Sequence, residues 1–170
     1  MWRYAAWVFL FLPCWGMAET YSGQVTRVSD GDTLWVKPAD GRAPRKLRLQ
    51  GLDAPEICQA GGETSRHALS RLVADKTVLV TVKYQDDYGR GLARIWVGEK
   101  DVAALMVQSG QAWSNRWRRS LGPYAAQESH ARASRLGLFA DPAAELPRDF
   151  RKRVGSCYSG QSWSAKSSSR

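Results

Sequence analysis

The amino-acid sequence predicts an α+β fold that combines five short strands with three helices in one domain. Three observations support this prediction: the chain length, period-two alternation in some segments, and helical spacing in others. The 170 residues suit a single domain that can bury a core of its own. Apolar residues make up 44% and charged residues 24%, which excludes a disordered chain and a protein with several membrane spans.

Five segments have the pattern of β-strands. The clearest runs from 46 to 50, where Leu47 and Leu49 share one face while Arg48 and Gln50 share the other. The other strand-like segments lie around 25–28 and 34–36, and at 78–83 and 92–97. Turn residues such as Gly31 separate these runs, as expected for short strands joined by tight loops.

Helical spacing predicts the three helices. Apolar residues at 69, 72 and 73 indicate the first helix, and those at 102, 105 and 106 indicate the second. We expect Asp101 to be the N-cap of the second helix and Gly110 to end it. The third helix is expected to open at Pro123 and to run to about Gly137. This order of elements suits a five-stranded barrel of the OB type, with the helices packed outside it.

The first 18 residues have the pattern of a signal peptide. Arg3 supplies an early positive charge, an apolar stretch follows, and Gly16-Met17-Ala18 has small residues at its first and third positions. We therefore expect cleavage after Ala18, export to the periplasm or the medium, and no stable membrane association afterwards. An uncleaved anchor is the alternative, although the apolar run is shorter than the roughly 20 residues that a spanning helix needs.

Cleavage would also remove Cys14 and leave two cysteines, Cys58 and Cys157. A pair of cysteines in an exported protein predicts a disulfide. Two unpaired thiols are the alternative, because the sequence gives no distance between them. We expect the folded domain to span 19–147, and 148–170 to form a basic, Ser-rich tail without fixed structure.

The formal net charge of the full chain is +9, which favours a polyanionic partner. Nucleic acid, anionic lipid and an acidic protein all satisfy this requirement. The basic run at 148–153 is either a solvated tail or an additional contact to such a partner. Charge alone does not choose among these partners, so the choice depends on the motifs.

Three short segments place acids or arginines beside turn residues: 30–33 (DGDT), 48–56 (RLQGLDAPE) and 86–93 (DDYGRGLA). Carboxylates brought together from separate loops repel one another unless a cation lies between them. Carboxylate and carbonyl oxygens suit Ca²⁺ or Mg²⁺, and two nearby arginines suit a phosphate. Taken singly, each segment is also an ordinary turn or helix cap.

In this order and spacing, the three segments resemble the motifs of the staphylococcal nuclease (thermonuclease) family. The resemblance runs from about Tyr21 to Phe139. It implies an OB-fold barrel and a Ca²⁺-dependent phosphodiesterase that acts on DNA and RNA with little sequence preference and leaves 3′-phosphates.

The resemblance also implies a role for each motif residue. Asp32, Asp53 and the backbone carbonyl of Ala54 would be the metal ligands, Asp30 a supporting acid, Glu56 the base or water-orienting residue, Arg48 and Arg90 the phosphate-binding pair, and Tyr88 a contact to a terminal phosphate. These roles are physically consistent, since attack by water builds negative charge on phosphate oxygens and nearby cations offset it.

The sequence departs from the family pattern in two places. Asp87 stands where the best-known member has a lysine, which weakens the expected contacts to a terminal phosphate. The loop at 113–119 contains tryptophans and arginines in place of a base-stacking tyrosine. We expect Trp113 to pack in the core. Trp117, by stacking on a base, and Arg116, by contacting phosphates, are candidates for substrate binding. For Trp117, packing within the protein is an equally weighted alternative.

The sequence therefore predicts an exported, metal-dependent endonuclease, acting as a monomer on DNA and RNA. The first alternative is a non-catalytic OB-fold module that binds nucleic acid. Such a module is expected to lack part of the acid–arginine set, which is present in full here. The second alternative is a surface protein that binds acidic polymers or lipid through its charge, and it leaves the acid cluster unexplained.

Overall fold

A closed barrel of five strands forms the centre of the protein. The structure is a computed structural model, which describes residues 18–155 and residue 157. The strands in this part of the chain are β1 (Glu19–Val28), β2 (Thr33–Pro38), β3 (Arg45–Leu49), β4 (Leu52–Asp53), β5 (Thr77–Gln85), β6 (Gly91–Val97), β7 (Lys100–Asp101) and β8 (Trp113–Ser114). Antiparallel pairing gives the order β3-β2-β1-β5-β6, and a parallel pair between β3 and β6 closes the barrel. The predicted α+β class and OB-type barrel are confirmed.

Side chains along β3 alternate between buried and accessible positions, as the period-two pattern predicts. Leu47 and Leu49 are buried in the barrel core, while Arg48 between them remains partly accessible. In the register of β2 with β3, Arg48 lies opposite Thr33. The pairing therefore brings Arg48 next to the turn that precedes Thr33, and this turn carries the first acidic motif.

Four α-helices surround the barrel in the described residues: α1 (Gly62–Val73), α2 (Val102–Gln108), α3 (Ala125–Ala133) and α4 (Pro147–Val154). The Asp101 side chain accepts hydrogen bonds from the backbone N–H groups of Ala103 and Ala104, so it caps α2 as predicted. None of the helices described is both long and apolar enough to cross a membrane.

Helix α3 is shorter than the sequence predicts, since it ends at Ala133 and not at about Gly137. The chain turns there, with Arg135 and Gly137 in the left-handed region, and the N–H of Leu138 donates to the carbonyl of Gly110. A Cβ atom on Gly137 would lie 2.4 Å from that carbonyl oxygen, so the close approach requires glycine. This contact with the end of α2 competes with further helical turns.

Helix α4 lies where the sequence predicts the start of an unstructured tail. Pro147 occupies the first turn, and Phe150 is buried against the domain, whereas Arg148, Lys152 and Arg153 are exposed. The ordered part of the chain therefore extends at least to 155, beyond the predicted boundary at 147. The remaining tail residues, 156 and 158–170, and the greater part of the predicted signal peptide, 1–17, lie outside the described residues.

A disulfide joins Cys58 to Cys157, the pair expected from the sequence, with 5.8 Å between the two Cα atoms. Cys58 follows the second motif and Cys157 follows α4, so the bond ties the end of the fold to the loop beside the motif. The two cysteines are 99 residues apart, and the bond therefore restricts a large part of the unfolded chain.

We predict that the Cys58→Ser/Cys157→Ser double variant loses about 2–4 kcal/mol of unfolding free energy, because its unfolded chain gains conformational freedom. Urea denaturation followed by tryptophan fluorescence measures this loss. Wild-type protein treated with a reducing agent should lose the same amount, and the variant should not respond to the reducing agent. An unchanged denaturation midpoint in the double variant contradicts the prediction.

Candidate active site

The three motif segments meet at one cleft of about 450 Å³ on the barrel surface. Its lining residues are Asp30, Asp32, Thr33, Lys46, Arg48, Ala54, Pro55, Glu56, Tyr88, Arg90 and Arg151. Most of the site residues predicted from the sequence therefore lie together. Asp53 is connected to the same cleft through its ion pairs with Arg48 and Arg151.

The first motif forms a tight turn of two acids packed against the second motif. The N–H of Asp32 donates to Oδ1 of Asp30 at 3.0 Å, and the hydroxyl of Thr33 donates to Oδ1 of Asp32 at 2.8 Å. A Cβ atom on Gly31 would lie 2.0 Å from the Ser65 hydroxyl and 2.8 Å from Cβ of Ala54. Gly31 thus lets the turn that carries Asp32 approach the loop that carries Asp53 and Ala54.

Arg48 connects the two carboxylates predicted to bind the metal. Its Nη2 lies 2.8 Å from Oδ2 of Asp32 and 3.1 Å from Oδ1 of Asp53, and its Nη1 donates to Oδ1 of Asp32 at 3.1 Å. Burial opposes the charge of Arg48, but the two carboxylates outweigh it and raise the pKa of Arg48 above its usual value. A single nitrogen shared by both acids shows that they are close neighbours.

In the turn of the first motif, the negative charges of Asp30 and Asp32 repel each other. Burial, and then the charge of Asp32, raise the pKa of Asp30 to about 7. Such a cluster favours a cation, and its oxygen donors suit a hard ion such as Ca²⁺ or Mg²⁺. In residues 18–155 and 157, no three His, Cys, Asp or Glu side chains are grouped as a metal site. The predicted set does not need three, since its third ligand is the backbone carbonyl of Ala54, and the residues present fit a divalent cation.

The third motif presents Arg90 to the cleft through Asp86. Oδ2 of Asp86 accepts from Nε of Arg90 at 2.8 Å, and Oδ1 accepts from the backbone N–H groups of Tyr88 and Arg90. Burial opposes the charge of Asp86, yet the hydrogen bonds from Arg90 hold the pKa of this carboxyl below its usual value. A guanidinium has five N–H donors, so Arg90 keeps donors for a phosphate while Asp86 orients it.

The predicted substrate contacts lie in different surroundings. Tyr88 is 85% exposed at the cleft, with the Arg90 guanidinium 5.3 Å from its ring centre. Trp117 is 74% exposed and does not line the cleft. Arg116, whose side chain is 42% exposed, donates to Oε1 of the buried Glu128 at 2.7 Å, and Glu128 also accepts from the N–H of Ser114. Arg116 therefore has a structural partner that the sequence does not reveal, and Trp113 packs edge-to-face on Phe139, as expected for a core residue.

Arg151 is the cleft residue that the sequence interpretation missed. From α4, its Nη1 lies 2.9 Å from Oε1 of Glu56 and 3.2 Å from Oδ1 of Asp53, and its Nη2 lies 3.1 Å from Oδ2 of Asp53. Burial opposes its charge, but the carboxylates of Asp53 and Glu56 raise the pKa of Arg151. The sequence signal that was available is Pro147 followed three residues later by the apolar Phe150, which is typical of a short packed helix.

An OB-type barrel that gathers acids and arginines in one cleft is the arrangement expected of a nuclease. The chain belongs to the staphylococcal nuclease family: the family model described as staphylococcal nuclease homologue matches residues 46–141. The predicted family membership is thereby confirmed.

Curated relatives agree with this assignment. The chain is 38% identical to Protein ParB of Escherichia coli over 82% of each chain. It is 36% identical to a micrococcal nuclease of Shigella flexneri, over 83% of this chain and 84% of that protein. It is also 35% identical to an uncharacterized endonuclease of Haemophilus influenzae, over 79% of this chain and 75% of the relative. Together with the family, these relatives support the predicted enzyme class, a nuclease that hydrolyses ester bonds.

We predict that Arg48→Met lowers the free energy of unfolding by about 1–3 kcal/mol, because the two largely buried carboxylates lose their shared cation and repel each other. Urea denaturation near neutral pH without added divalent ions measures the change. Lys37→Met, which removes an exposed charge from the neighbouring strand β2, should leave the unfolding free energy nearly unchanged. An Arg48 variant that is as stable as the Lys37 variant contradicts the prediction.

Proposed function

We propose that this protein is an exported, Ca²⁺-dependent endonuclease that hydrolyses DNA and RNA with little sequence preference and leaves 3′-phosphates. The observation that carries the proposal is the ion-paired cluster in which Arg48 joins Asp32 to Asp53 in the cleft that Glu56 and Arg90 also line. The coarser conclusion, a nuclease of the staphylococcal nuclease family, rests on the family match and the relatives.

The cation would be held by the carboxylates of Asp32 and Asp53 and by the backbone carbonyl of Ala54. When bound, Ca²⁺ supplies positive charge that offsets the negative charge on the phosphate oxygens during hydrolysis. Asp30 supports this arrangement by accepting a hydrogen bond from the backbone of Asp32, which fixes the turn. The donor set consists of hard oxygens, in keeping with Ca²⁺ or Mg²⁺ and not with a thiolate-preferring metal.

Other side chains around the cleft bind the phosphate and activate the water molecule. Arg48 and Arg90 donate to the phosphate oxygens, where charge develops in the transition state. Glu56 orients a water molecule and accepts its proton. The water oxygen forms a bond to phosphorus while the bond from phosphorus to the 5′ oxygen breaks. The 5′ oxygen takes up a proton from solvent water as it leaves, so the phosphate stays on the 3′ side of the cut.

Export and substrate class are supported by separate features of the chain. The signal-peptide pattern at 1–18 and the disulfide between Cys58 and Cys157 both suit an oxidising compartment, the periplasm or the medium. The net charge is +9 for the full chain and +8 once cleavage removes Arg3, and it attracts a phosphodiester backbone without regard to sequence. The exposed indole of Trp117 offers a surface for stacking on a base. We expect the enzyme to act as a monomer.

A non-catalytic module that binds nucleic acid is the competing proposal. It requires a basic surface and exposed aromatic rings, and both are present. It does not require an acidic cluster in the binding cleft, because carboxylates repel the phosphate backbone. Retention of Asp32, Asp53 and Glu56 at the centre of a basic protein therefore favours catalysis.

We predict that the purified protein degrades plasmid DNA and RNA in millimolar Ca²⁺ and that a chelator abolishes the digestion. Gel electrophoresis follows the sizes of the products. A 3′-end label that attaches to the products only after phosphatase treatment shows that they carry 3′-phosphates. Reactions with Mg²⁺ in place of Ca²⁺ show which ion serves. Folded protein that leaves both substrates intact with either ion contradicts the proposal.

We predict that Arg90→Ala lowers kcat by about 100- to 1,000-fold, because it removes a preorganised donor to the developing charge. Binding of a short DNA oligonucleotide, measured by fluorescence anisotropy with a chelator present so that the oligonucleotide is not cleaved, should weaken less than about tenfold, since one phosphate contact among several is lost. Arg27→Ala removes an equal charge from an exposed position on β1 and serves as the control. An Arg90→Ala variant with the same kcat as the Arg27→Ala control contradicts the role of Arg90.

A further inference from the structure

Helix α4 places a third arginine against the acids of the cleft. The fork of Arg151 spans two carboxylates, with its Nη1 on Oε1 of Glu56 at 2.9 Å and its Nη2 on Oδ2 of Asp53 at 3.1 Å. The side chains of Asp53 and Glu56 are 14% and 16% exposed and that of Arg151 is 35% exposed, so these ion pairs are partly shielded from water. Arg151 thus contacts both a predicted metal ligand and the predicted base.

The position of Arg151 is held from both ends of α4. Before the helix, the carbonyl of Glu145 accepts from Nε2 of Gln59 at 2.6 Å, and Oε1 of Gln59 accepts from the N–H of Glu56 at 3.2 Å. After the helix, Cys157 is bonded to Cys58. The loop that carries Glu56 and the segment that carries Arg151 are therefore joined at two further points besides the ion pair.

Arg151 lies outside the part of the chain that the family model describes. That match covers 46–141 and ends before α4 begins. The acids and arginines of the three motifs lie in or near the barrel, whereas Arg151 comes from a separate, disulfide-anchored helix. The match also leaves out Asp30 and Asp32, but those acids belong to a motif to which the resemblance assigns a role, whereas no motif role is assigned to Arg151.

We propose that Arg151 is a positioning residue that fixes the carboxylate of Glu56 for catalysis and, through Asp53, weakens cation binding in the absence of nucleic acid. This inference rests on the proposed nuclease function. The rigid guanidinium of Arg151, which is bonded to two carboxylates, limits the orientations that Glu56 can adopt. A misplaced base lowers kcat. The same guanidinium repels a divalent ion approaching Asp53, so positioning and cation affinity oppose each other.

The decisive variants are Arg151→Met, which removes the charge and the fork, and Arg151→Lys, which keeps the charge without the fork. Arg148→Met is the matched control, because it removes the same charge from an exposed position on the same helix. Steady-state cleavage of a short single-stranded DNA oligonucleotide gives kcat and KM. Calorimetric titration of the substrate-free protein with Ca²⁺ gives the cation affinity, and thermal unfolding establishes that each variant is folded.

For Arg151→Met we expect kcat to fall by about 10- to 100-fold with KM changed less than about threefold, because the loss concerns the base and not substrate binding. We expect Ca²⁺ to bind about 3- to 10-fold more tightly, since a repelling charge is gone. Arg151→Lys should return the Ca²⁺ affinity to near the wild-type value but restore only part of kcat.

Two results overturn the proposal. A kcat for Arg151→Met equal to that of the Arg148 control shows that Arg151 does not position Glu56. A Ca²⁺ affinity unchanged from that of the control shows that Arg151 does not act on the cation site through Asp53. Wild-type protein that cleaves no oligonucleotide instead contradicts the proposed nuclease function, so the two failures are distinguishable.

Discussion

The guanidinium of Arg48 holds together two carboxylates that would otherwise repel each other. Asp32 lies in the turn before β2 and Asp53 at the end of the short strand β4, and a single nitrogen of Arg48 bonds to both. Arg48 is in turn fixed by its strand, because Leu47 and Leu49 on either side are buried in the barrel core. The hydrophobic core thus sets the place of the arginine, and the arginine sets the distance between the acids on which the proposed cation site depends.

Features of the fold that arise from local periodicity could be predicted from the sequence. The alternation in β3 and the cap at Asp101 each depend on residues within a few positions of one another, and the structure contains both. The cleft could be predicted because its three motifs resemble those of a known family in order and spacing. The end of α3 could not, since the contact that stops it joins Leu138 to the distant Gly110.

The parts of the site that escaped prediction depend on contacts between distant residues. Arg151 and Glu56 are 95 positions apart, and no local pattern indicates that they meet. Helix α4 has eight residues, of which Pro147 and Phe150 are buried. Because apolar residues are few and basic residues many, its sequence resembles that of a solvated tail. The pairing of Arg116 is another such contact, since the buried carboxylate of Glu128 lies 12 positions away in the chain.

The disulfide between Cys58 and Cys157 can form only after the rest of the site has been synthesised. A chain made from its N-terminus presents residues 30–93, which contain all three motifs, before Arg151 and Cys157 have been synthesised. Arg151 and Cys157 both follow the three motifs in the chain. The contact with Glu56 and the disulfide can therefore complete the cleft only once the C-terminal segment is present.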